Sequence, residues 1–114
     1  MQKSSLFSMS AIASGAVLAA RFVGMLTGAH CASGAKAQGV SQYAANTGEA
    51  FALDVLGTTI VEAGGAVGAG SEVKAAADGS GRAIARGGAG PLDAYAVTAA
   101  SAAGQKIEVL LCGP

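Results

Sequence analysis

His30 and Cys31 sit side by side, the single histidine and one of two cysteines in a chain of 114 residues. A thiol beside an imidazole is the pair that a cysteine nucleophile needs. Neighbouring side chains on an extended chain point to opposite faces, however, so these two do not readily meet. Ser80 stands between glycines in Gly79-Ser80-Gly81. The surrounding residues lack the G-x-S-x-G nucleophile elbow and read as turn chemistry instead. Cys31 and Cys112 have 80 residues between them, which fits no zinc or redox spacing. A disulfide pinning the last strand is one reading, and two buried reduced thiols are the favoured one.

The remaining reactive groups are as sparse. The seven acids are scattered singly, so no metal set is expected. The glycine-rich stretches 64–70 and 87–90 lack the Lys-Ser/Thr of a phosphate-binding loop. Arg82 and Arg86, four apart, fit a solvated face or an ion pair between subunits better than a phosphate site. The expectation is a protein without catalytic, metal or cofactor residues, and hence not an enzyme.

Composition points the same way. Alanine (28 residues) and glycine (18) dominate, and only 12% of residues are charged. Seven basic residues balance seven acidic ones, so no partner in nucleic acid or an anionic membrane is expected. Few charges and many small apolar residues are unusual for a free monomer, which normally keeps a more charged surface. A chain that works inside an assembly is released from that requirement, and an oligomer or lattice contact is expected.

The elements that must carry such contacts are short strands. Beyond Gly48, Val/Ile/Leu/Ala runs alternate with glycine breaks, the signature of a small all-β domain. Strands are predicted over 36–43, 49–56, 58–62, 71–77, 82–86, 94–98 and 106–111. Gly57 bends the second of these into the third. Asp78-Gly79-Ser80-Gly81 is the strongest tight-turn signal. The pattern describes a small β-barrel or sandwich-like meander with glycine at its corners.

The N-terminal part reads in two ways. Lys3 followed by an apolar run resembles an export signal, which would make the protein an exported envelope or adhesin-like one. Ser8, Ser10, Ser14 and Arg21 interrupt that run, and it is too short and polar to span a membrane. The favoured reading is an extended arm (1–10, bounded by residue 15) followed by a first strand over 16–23, in a single β-rich domain of residues 16–114.

Four stretches carry a resemblance. They are 48–57 (GEAFALDVLG), 61–67 (VEAGGAV) with 77–83 (ADGSGRA), and 96–111 (AVTAASAAGQKIEVLL). Over 39–111 the chain resembles the small Ala/Gly-rich head decoration, or cement, proteins of tailed bacteriophages. The resemblance implies a β-rich structural protein of the virion, made in the host cytoplasm and bound to the outer surface of an icosahedral head. It implies no enzymatic activity and no cofactor. Its partners would be the major capsid protein and further copies of itself, often as a trimer. In that setting Leu6, Phe7 and Met9 of the arm become candidates for capsid or subunit contact through strand addition.

Overall fold

The structure, a computed structural model, describes residues 4–32, 34–88 and 90–111, with side chains from residue 8 onward. It is built of strands alone: β1 (Ser4–Ile12), β2 (Phe22–Gly24), β3 (Ala37–Ser41), β4 (Ala50–Glu62), β5 (Glu72–Ala75), β6 (Ala83–Ala85), β7 (Ala94–Ala96) and β8 (Lys106–Leu111). All ladders are antiparallel. The sheet runs β2-β3-β4-β8-β7-β5-β6, with β1 beside β4. It curls almost into a barrel, the all-β class that the sequence predicts.

β4 organises the molecule. The runs 49–56 and 58–62, expected as two strands meeting at a bend, form one strand of 13 residues. Gly57 lies inside it at φ 94°, a conformation that costs little without a Cβ. β1 pairs along residues 50–58, so β3 (at Leu53 and Asp54) and β8 (at 57–62) must share the opposite edge. Gly57 is the corner where one partner gives way to the next.

Closure falls at the tight turn. Ser80 N–H donates to Asp78 Oδ1 at 2.9 Å, and Gly79 and Gly81 take positive φ. Gly81 carbonyl then accepts from Phe22 N–H at 2.7 Å, joining β2 to the loop that leads into β6. A Cβ at residue 81 would stand 2.6 Å from Phe22 carbonyl oxygen, so only glycine permits that approach.

Two clusters of buried side chains result. The larger fills the barrel with Phe22, Val40, Val61, Val73, Ile107 and Val109 among many alanines. The smaller gathers Phe51, Leu53 and Val55 with Val17, Val23 and Ala45. Residues 16–23 differ from the expected strand. Only Phe22–Gly24 is a strand, and Ala20 at φ 59° breaks the run before it. Residues 13–20 instead form an irregular roof, in which Val17 and Ala45 exchange both backbone hydrogen bonds. Alanine and leucine fix no period of their own, and burial over the smaller cluster decides the local conformation.

Candidate docking surface

The arm expected at residues 1–10 is extended from residue 4 and runs along β4 of its own domain as β1. Residues 1–3 lie outside the described residues. Phe7 is in register with Leu56, and the ladder shifts on both sides of it. Leu6 is therefore the extra residue of a bulge in β1. The side chains of Leu6 and Phe7 lie outside the described ones. Met9 is paired with Leu53 and is 38% exposed. Its Sδ accepts from Gln38 Nε2 at 3.6 Å.

Buried polar groups hold β1 in place. Asp54, fully buried, accepts from Ser8 Oγ (3.2 Å), Gln42 Nε2 (2.7 Å) and Thr59 Oγ1 (2.7 Å). One carboxyl group thus ties β1, the end of β3 and both halves of β4 together, and burial makes each of these bonds costly to leave unmade. Asp93 plays the matching part inside the barrel. It accepts from the N–H groups of Ala37 (3.0 Å) and Ala75 (3.3 Å) and pairs with Lys36 Nζ at 3.2 Å.

Beside β1 the surface is open and apolar. Leu26 is 83% exposed and Ile12 is 62% exposed. With Met9, Thr27 and Gln38 they line a shallow groove of about 250 Å³. The turn at 24–28 forms its far wall, fixed to the end of β1 by Ser14 N–H on Gly28 carbonyl at 2.9 Å. A second exposed apolar strip crosses the outer face of the barrel. Tyr95 and Leu110 are cross-strand partners there, and Leu56 and Val97 are also exposed. Of the candidates from sequence, only Met9 can be followed to this surface by its side chain. Leu26 and Ile12 were not among them, although two apolar residues inside Gly24-Met25-Leu26-Thr27-Gly28 are an available signal, because turns are normally polar.

The reactive residues are absorbed into structure. His30 and Cys31 diverge. His30 Nε2 accepts from Leu18 N–H at 3.0 Å, while the Cys31 thiol points to Ala35 carbonyl oxygen, 3.2 Å away. Burial, and then the charge of Arg21, hold the imidazole below its usual pKa. Burial pushes the Cys31 thiol up to about 11, Asp93 adding to the rise and Lys36 opposing it. Cys31 is a buried free thiol, and Cys112 lies outside the described residues. Arg82 and Arg86, expected on a solvated face or between subunits, find partners within the chain. Glu62 Oε2 meets Arg21 Nη2 at 3.2 Å and, without hydrogen-bond geometry, Arg82 Nε at 2.6 Å. Arg86 pairs with Glu72 at 3.0 Å.

No protein-family model matches this chain, and no curated protein matches it. Among solved structures, the chain is similar to the N-terminal base of head fiber gp8.5 of bacteriophage phi29, with a TM-score of 0.75. That likeness covers 92% of each chain at 22% identity, and what the two share at that distance is the fold.

Proposed function

We propose that this chain is a structural protein of a phage virion that binds the outer surface of the head and bridges major capsid subunits. The observation that carries the reading is the likeness in fold to the base of a phage head fiber over nearly the whole of both chains. An apolar, almost uncharged surface beside an open strand suits a partner that covers it permanently. Working as an oligomer, the chain would engage several capsid sites at once, so that modest contacts add up to stable attachment. In this reading it catalyses nothing and needs no cofactor.

The exported alternative fits the packing less well. Removing residues 1–30 would delete β1 and β2 and take Phe22, Val23 and Val17 out of the two clusters. The test is co-sedimentation of the purified protein with expanded heads that lack decoration. Saturable binding at a fixed ratio to the major capsid protein is the expected result. Heads of the matching phage that pellet without the protein would end the head-surface reading.

A further inference from the structure

We infer that the groove between β1 and the 24–28 turn is where a second copy of this chain docks, with Leu26 as the anchor. Three observations meet there. First, Leu26 sits at φ 58°, a left-handed conformation that side chains other than those of Gly, Asn and Asp rarely adopt. Its N–H donates to Oε1 of the buried Gln38 at 3.0 Å, which holds the turn in that shape. A strained leucine displayed almost wholly to solvent gains nothing for the folded monomer. Glycine would suit the backbone better there. Strain kept at such a position marks a residue used for contact.

Second, β1 pairs with β4 alone among the described residues, whereas of the two end strands of the sheet β2 is tied to the 81 loop and β6, only three residues long, has β5 and a bridge from Ala63. A long strand edge without charge or proline is a template for another chain, and natural proteins normally guard such edges. This one has neither, its sequence being SSLFSMSAI, and its bulge lies at residues 5–8, so that the register from Ser8 to Ile12 beside the groove is regular. Residues 8–10 are exposed on both faces of the strand, so the edge is not hidden from either side.

Third, no charged residue lines the groove. A charged partner segment would lose its hydration there without gaining a counter-ion. The occupant is therefore an uncharged extended segment with apolar side chains, and β1 of another copy has that chemistry. Serines on paired strands add cross-strand hydroxyl contacts at no cost in repulsion.

The test is sedimentation equilibrium of the full chain over a wide concentration range, beside Leu26→Asn and Leu26→Gly. Both replacements accept positive φ, so their thermal midpoints are expected to equal or exceed that of the parent. Self-association is expected to weaken about 30-fold in each, the size of a hot-spot loss. A parent that stays monomeric throughout overturns the inference. So do variants that associate as the parent does. A variant with a lowered midpoint overturns it as well, since Leu26 would then serve the fold. Heads are absent from this measurement, so its failure would leave the head-surface reading standing.

Discussion

The two buried clusters are made of different material. The barrel interior is mostly alanine and valine, with Phe22 its one aromatic side chain among the described residues, and seven strands close around it. The smaller cluster relies on Phe51 and Leu53, under a roof that is largely irregular backbone. Small side chains bury little area each, so the barrel depends on close backbone approach all the way round. The smaller cluster depends on a few large groups, and it is the one that supports β1 and the docking groove. Stability resides chiefly in one, and the contact surface rests on the other.

Truncating each aromatic should separate these roles. Phe22→Ala is expected to cost about 3–5 kcal/mol and to shift the whole denaturation curve, since the small side chains around it cannot fill the gap. Phe51→Ala removes as much volume, but its effect should be concentrated locally. Amide exchange would accelerate in β1 and residues 13–20 while β5, β7 and β8 keep their protection. Equal loss of protection everywhere in Phe51→Ala would mean that the two clusters unfold as one unit.

A smaller effect is expected at the buried carboxylate of the barrel. Asp93→Ala leaves two backbone N–H groups without their acceptor and Lys36 Nζ with Leu92 carbonyl oxygen in place of a counter-ion, at a cost of about 2 kcal/mol by denaturant titration. Asp93→Asn, which keeps an acceptor oxygen, should recover part of that loss.

The smallest effects distinguish the regions by pH. His30 has a folded pKa below 6.5, so the unfolded chain takes up a proton first as the medium acidifies. Its contribution is complete above pH 6.5 and is lost as pH falls through the depressed folded value, loosening the Leu18 contact in the roof. Cys31 behaves in the opposite sense. Its thiol stays neutral up to about 11 in the fold against 9.0 when free, so its contribution is complete below pH 9 and is lost between 9 and about 11. Thermal midpoints across pH should flatten on the acid side in His30→Gln and on the alkaline side in Cys31→Ala.

These contrasts also explain what was legible in the sequence. β8 was readable to the residue, because Lys106, Glu108 and Leu110 face outward while Ile107, Val109 and Leu111 face the barrel. The 78–81 turn was readable because its residue types admit few other conformations. The unity of β4 was hidden, since a glycine that ends a strand and one that turns its corner look alike without neighbours. Residues 13–20 were hidden because their conformation is set by what they cover. Leu26 was the hardest to see. An apolar residue reads as core until the fold places it outside, and its value as a contact depends on how a second copy meets it, which the pattern of one chain does not display.

β8 is the last of the eight strands in chain order, yet it lies in the middle of the sheet, between β4 and β7. During synthesis, everything up to residue 105 therefore emerges with the two edges that β8 will join still open, and loops of about 50 residues must close before the barrel has a centre. The nascent chain passes through an interval in which its stickiest backbone is least protected. Such a chain is then under pressure to finish quickly or to be shielded while it waits. Premature stops anywhere before β8 should yield insoluble chains rather than shorter barrels.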